Sequence, residues 1–190
     1  IDLLREAVSD GSPDEAFLET GLDELEHAND RIDAIVDDLV LLTTTDLEGL
    51  ETEPLDLADL AHLAWHVVDG ELSLVVDRST TVQGDRTKLL RLFENLFQNV
   101  VEHADGADTV HVGAFEDGFY VEDDGCGIPE SDRDTVLDDG YSSKPDGTGL
   151  GLTVVRAIAE VHRWSVRVTD RSGGGTRIEI VVDERPLPAV

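Results

Sequence analysis

The sequence contains no methionine, one cysteine (Cys126) and two lysines (Lys88 and Lys144) in 190 residues. A single cysteine excludes an internal disulfide and any metal centre built from several thiolates. No uncharged run approaches the roughly 18 residues that a bilayer-spanning helix needs, so no membrane span is expected. Basic residues are scarce as a class, 14 against 43 acidic ones, and the formal net charge is −29. Such a surface repels nucleic-acid phosphates and anionic lipid, so neither nucleic-acid binding nor direct membrane contact is expected. The chain opens at Ile1 inside a helical pattern, and is expected to be a piece of a longer protein.

What is present is enough apolar character, 40% of residues, to build a core. An acidic, lysine-poor chain of ordinary apolar content matches proteins of salt-loving archaea, where molar salt screens like charges from one another. A mesophilic protein with an acidic partner-binding face is the other reading of that composition. Leu18, Leu22, Leu25, Asn29, Ile32, Val36 and Leu39 alternate steps of four and three, a heptad seam on a helix over 17–45. Ala28, Ile35 and Leu42 widen the stripe, as a four-helix bundle requires. A turn at Asp10-Gly11-Ser12-Pro13 makes residues 1–8 the tail of a preceding antiparallel helix. The alternative is one helix packed on its own domain.

Beyond this hairpin (1–47) and a polar linker (48–56), residues 57–190 read as a second domain. Leu55-Asp56-Leu57 fits a short strand, and Asp59 to Val68 a helix burying Leu60, Leu63, Ala64, Val67 and Val68. Strands are expected over 72–76 and 80–82, then a helix over 85–104 capped by Asp85. Thr109–Phe115 and Gly118–Glu122 form a hairpin, a glycine-rich stretch covers 123–149, and a helix follows over about 150–162. A last hairpin turns at Gly173-Gly174-Gly175. The order predicts an α+β fold, a two-layer sandwich with helices on one face of a mixed, mostly antiparallel sheet.

Three motifs carry chemistry. Asn95 and Asn99 stand one helical turn apart, so their amides share a face, and a carboxamide oxygen is a neutral hard ligand for a cation among phosphates. Asp123, Asp124, Gly125, Cys126, Gly127 and Ile128 follow a strand, where a carboxylate can accept from a heterocycle's amino group and glycines admit a planar ring. Gly147, Thr148, Gly149, Leu150 and Gly151 open a helix, where bare amides and the positive dipole end favour phosphate. Each alone has an ordinary explanation: solvated asparagines, an acidic strand cap, a flexible loop.

Together and in this order, they resemble the Bergerat-type nucleotide fold shared by sensor histidine kinases, gyrase, a class of chaperone ATPases and mismatch-repair ATPases. The resemblance covers about residues 54–182. It implies an asparagine box (Asn95, Asn99), a first glycine box (Asp123, Gly125, Gly127) and a second (Gly147, Gly149, Gly151). Tyr141, Ser142, Ser143 and Lys144 are similar to the aromatic–hydroxyl–hydroxyl–lysine run of a kinase ATP lid. The resemblance implies ATP and Mg2+ as cofactors: Asp123 on the adenine amino group, Asn99 on magnesium with Asn95 nearby, the amides of 148–151 on phosphates and Lys144 on the terminal phosphate.

Gyrase-like enzymes place a glutamate base four residues before the magnesium asparagine. Here that position is Asn95, while Glu94 stands about 100° around the helix. A missing base favours kinase over hydrolase. The expected protein is thus the cytoplasmic catalytic core of a two-component sensor histidine kinase. It would phosphorylate a histidine upstream of residue 1, pass the phosphoryl group to a response regulator receiver domain, and form a homodimer through the N-terminal helices. No His-Glu/Asp-x-Arg-x-Pro acceptor motif occurs in the chain. Glu102 and His103 stand where many kinases carry lysine and an aromatic residue. An ATPase clamp and a non-catalytic nucleotide-binding scaffold are the alternatives.

Overall fold

A computed structural model describes residues 20–22, 25, 32, 35, 36, 38–40, 42, 50–68, 72–133, 135–138, 140, 141 and 149–182. The chain divides into two compact units, Ile1–Thr43 and Thr44–Val190. Every described residue between 20 and 42 is helical. Leu22, Leu25, Ile32, Val36 and Leu39 of the expected seam are 43–59% exposed in the single chain. Ile35 and Leu42 are half-buried. Leu18, Ala28, Asn29, the 10–13 turn and the expected helix over 1–8 lie outside the described residues.

The second unit begins with β1 (Glu53–Asp56), which pairs antiparallel with β3 (Thr81–Gly84) and sets Leu55 opposite Val82. The expected linker therefore stops short of residue 53. Leu57 is not a strand residue: Oδ1 of Asp56 accepts from the amides of Ala58 and Asp59 at 2.8 and 3.2 Å, and this cap starts α1 (Leu57–Trp65). The helix buries Leu57, Leu60, Ala61 and Ala64. Leu63 and Val67, expected inside, are 44% and 68% exposed, because the helix ends at Trp65 and its stripe turns toward Ala61.

β2 (Ser73–Arg78) precedes β3, and α2 (Arg86–His103) follows it, capped as expected by Asp85, whose Oδ1 accepts from the Lys88 amide at 3.1 Å. Then come β4 (Thr109–Phe115), β5 (Gly118–Asp123), α3 (Gly151–Val161), β6 (Ser165–Asp170) and β7 (Thr176–Val181). The main sheet has the order β2-β4-β5-β7-β6; β2 and β4 run parallel and the other pairs antiparallel.

Alternation along the strands sorts the two faces of the sheet. Val110, Val112, Phe119, Val121, Ile178 and Ile180 are buried, and Phe119 stacks on Phe93 of α2 at 5.6 Å. Phe93, Phe97 and Phe119 are wholly removed from water, each worth about 1.5–3 kcal/mol by area. The opposite face is polar: the Arg177 guanidinium lies 3.5 Å over the Tyr120 ring and pairs with Glu122 and Glu179. The fold is the expected α+β sandwich.

Candidate functional site

Two consecutive carboxylates leave β5 in opposite directions. Oδ1 of Asp124 accepts from the amides of Asp108 at 2.8 Å and Thr109 at 2.9 Å, which ties it to the start of β4. Those amides, Thr109's first, hold its carboxyl below the ordinary range. Asp123 is 4% exposed. Its Oδ1 accepts from the amides of Gly125 at 2.9 Å and Thr176 at 3.4 Å, and Oδ2 takes neither. Gly175, at φ +100°, makes this possible: a Cβ there would stand 1.9 Å from the Asp123 carbonyl oxygen.

Asn95 and Asn99 face the start of α3. Nδ2 of Asn95 donates to the Arg91 carbonyl at 3.0 Å, which orients its oxygen. A Cβ on Gly151 would stand 3.3 Å from Asn95 Oδ1 and 3.1 Å from both polar atoms of the Asn99 amide, so a glycine lets the two helices approach here. Nδ2 of Asn99 is buried without a hydrogen-bond partner, alone in this among side-chain polar atoms of the described residues. Such an atom costs about 1–3 kcal/mol unless a ligand answers it. A half-turn of the amide interchanges its ends, so Asn99 can offer a donor to phosphate or an oxygen to a hard cation. Such an oxygen fits a magnesium ion that takes its other ligands from phosphates and water.

α3 starts with Leu150 at its cap and no side-chain acceptor for its first amides, the condition that favours an anion there. Gly149 has φ +65°, and a Cβ on it would meet the Gly140 carbonyl oxygen at 2.4 Å. The approach to this turn is held by Arg156 of α3, which donates to the Leu137 carbonyl at 2.7 Å. Arg133 donates to the Ile128 carbonyl at 3.1 Å and pairs with Asp170.

Asn99, Asp123, Gly127, Ile128, Tyr141, Gly149 and Gly151 all line one cavity of about 400 Å³. Leu96, Val100, Val121, Val136 and Ile178 give it an apolar slot with the Asp123 carboxylate in its wall, the combination an amino-bearing heterocycle needs. Asn95, Gly125 and Leu150 support it from outside the lining; a Cβ on Gly125 would press on Ala104 at 2.9 Å. Ser142, Ser143, Lys144, Gly147 and Thr148 lie outside the described residues. Sequence reasoning missed Val136, Asp132 and Thr176 as lining residues. Thr176 had a signal in the triple glycine before it, which reads equally well as a plain hairpin turn. Glu102 and His103 also reach the cavity.

Residues 84–186 match the family described as histidine kinase-, DNA gyrase B- and HSP90-like ATPase. The chain belongs to this family. As a histidine kinase-like ATPase domain, the second unit is an ATP-binding module, and its relatives are sensor kinases. The chain is 25% identical to the sensor-like histidine kinase SenX3 of Mycolicibacterium smegmatis, over 99% of this chain and 54% of that protein. It is 31% identical to cyanobacterial phytochrome A of a Nostoc species, over 74% of this chain and 20% of that protein. Among solved structures, the mycobacterial sensor histidine kinase MprB superposes with a TM-score of 0.58 at 29% identity, covering 72% of this chain and 100% of that one. The chain thus spans about half or less of the length of these curated relatives. No helix among the described residues is long and apolar enough to cross a membrane.

Proposed function

We propose that this chain is the catalytic core of a two-component sensor histidine kinase. It would move the γ-phosphate of ATP to an acceptor histidine of the parent protein, for onward transfer to a response regulator receiver domain. The observation that carries the reading is the single cavity walled by the Asp123 carboxylate, the Asn99 carboxamide and the glycine-opened start of α3. In it, Asp123 would accept from the adenine amino group, between the apolar walls of Ile128, Val136 and Ile178. Gly125 and Gly127 would let the backbone approach the ring. The amides of Gly149, Leu150 and Gly151, with Thr148 and Gly147 before them, would hold phosphates. Tyr141, Ser142, Ser143 and Lys144 would close over the nucleotide as a lid, Lys144 as the point charge on the terminal phosphate. Asn99 would hold magnesium, which when bound offsets the phosphate charge.

The choice of phosphotransfer over hydrolysis rests on α2. Asn95 occupies the position of the hydrolase base and is bonded to the Arg91 carbonyl. Glu94 pairs with Arg91 at 3.3 Å and does not line the cavity. Glu102 does line it, but two turns and about 10 Å further along the helix. Among the described residues of α2, none would therefore stand as a base where a hydrolase carries its glutamate, and ATP would wait for another nucleophile. The exposed seam of Leu22, Leu25, Ile32, Val36 and Leu39 supports a homodimer through helices of the 1–47 segment. The remaining division would be a catalytic domain over 57–190, with β1 (Glu53–Asp56) joined to it through β3, working in the cytoplasm where ATP is.

Calorimetry with a non-hydrolysable ATP analogue, with and without Mg2+, tests this. Binding that needs magnesium is expected, weakened about 10- to 100-fold by Asp123→Asn as a charged hydrogen bond is lost. No binding by the unaltered chain overturns the reading; steady multiple-turnover phosphate release points instead to an ATPase clamp.

A further inference from the structure

α2 and α3 run antiparallel. At one end Asn95 and Asn99 meet Gly151, and at the other a buried histidine joins them. His162 follows the last residue of α3 and is 9% exposed. Its Nδ1 lies 2.7 Å from the Ile158 carbonyl oxygen, one turn back, and can only donate to it. Its Nε2 is then the acceptor, and it receives the backbone N–H of Asp85 at 3.0 Å. Asp85 is the cap of α2.

In a capping box, the cap residue's amide is answered by a glutamate or glutamine three residues on. Here that residue is Lys88, which has nothing to accept with. The acceptor comes instead from a residue 77 positions away in the chain. Gly84 lies beside the ring, where a Cβ would press on Leu89 at 2.6 Å and come into ordinary contact with Nε2 at 3.4 Å, and the ring packs on Trp164 at 4.6 Å.

We infer that His162 is a positioning residue for nucleotide binding, a latch that fixes the sliding register of α2 against α3 and so the distance between Asn99 and the amides of Gly149 and Gly151. The latch holds only with a neutral ring. A proton on Nε2 would set two N–H groups against each other across the Asp85 contact, and the helices would part at that end. Burial opposes the cation and pushes the ring below its ordinary range. The charged groups acting on it are Asp85, which favours protonation, and Lys88, which opposes it; β3 presents Gly84 and the residue after the ring's neighbour is Trp164, both without charge. The unfolded chain takes the proton near pH 6.5 and the native chain only lower, so stability falls as pH drops below about 6.5 toward the native value.

The inference rests on the nucleotide reading of the cavity, and its test separates the two. Gln in place of His162 can keep an acceptor near Nε2 without titrating; Leu removes it. Calorimetry with the ATP analogue and Mg2+ at pH 7.5 should give His162→Gln near unaltered affinity and His162→Leu a Kd about five- to tenfold weaker, one neutral hydrogen bond. A folded Leu variant that binds as the unaltered chain does overturns the latch. Without nucleotide, nitrogen NMR should find His162 carrying its proton on Nδ1 at pH 7.5, and Asp85 amide exchange should quicken in His162→Leu. A ring protonated on Nε2, or unchanged exchange, overturns it even if the cavity binds nothing.

Discussion

Asp123 and Asp124 are neighbours in sequence with separable tasks, because alternate strand residues point to opposite sides. Asp124 serves the fold: its oxygen gathers two amides at the root of β4. Asp124→Asn should therefore lower stability and leave affinity for the ATP analogue almost untouched, the reverse of Asp123→Asn. The acid limb checks this. The folded-state pKa of Asp124 is depressed, so its stabilisation is complete above about pH 3.9 and disappears as pH falls through the native value. Urea midpoints between pH 3 and 7 should show a shallower acid decline in Asp124→Asn. Gly175→Ala tests the close approach behind Asp123. With φ +100° and a Cβ 1.9 Å from a carbonyl oxygen, a loss of about 2 kcal/mol or more is expected in the same measurement.

At the scale of elements, α2 was the most legible part of the sequence. Its apolar residues recur at helical spacing, Asp85 announces its start, and Leu89, Leu92, Phe93, Leu96, Phe97 and Val100 are all buried. The β4–β5 hairpin was legible for a similar reason, alternation across a two-residue turn. The β1–β3 pair was not: each strand has four residues, and a helix and a strand separate them, so no local pattern announces the pairing. The end of α3 falls within a residue of the expected 162, but the turn that closes it was hidden. The amide of Arg163 bonds to the Glu160 carbonyl and that of Trp164 to the Ala159 carbonyl, with Arg163 left-handed at φ +62°. A glycine suits that position, and arginine gives no sign of it. Of the site, the motif glycines could be read, but the apolar lining from Val136 and Ile178 depends on tertiary placement. Arg163→Gly should relieve the left-handed side chain and raise stability by about 1 kcal/mol, seen as a higher urea midpoint. Asp85→Ala should cost about 1 kcal/mol.

For the whole molecule, a net charge of −29 on 190 residues means that like charges oppose compaction until salt screens them. The melting temperature should climb steadily as KCl is raised from about 0.1 M, where the Debye length is about 10 Å, to 1 M and beyond. A melting temperature indifferent to salt would remove the salt-adapted reading of the composition. The sheet order has a consequence of another kind. β4, β5, β7 and β6 are joined to one another along antiparallel edges, whereas the rim strand β2 touches β4 alone, in parallel, with its register slipping between Val76 and Arg78. A rim strand held on one side by slanted bonds is the first to peel away. Deuterium should therefore enter the amides of Ser73–Arg78 well before those of Gly118–Asp123, and the molecule should fray from that margin inward while the chamber wall at β5 remains shut.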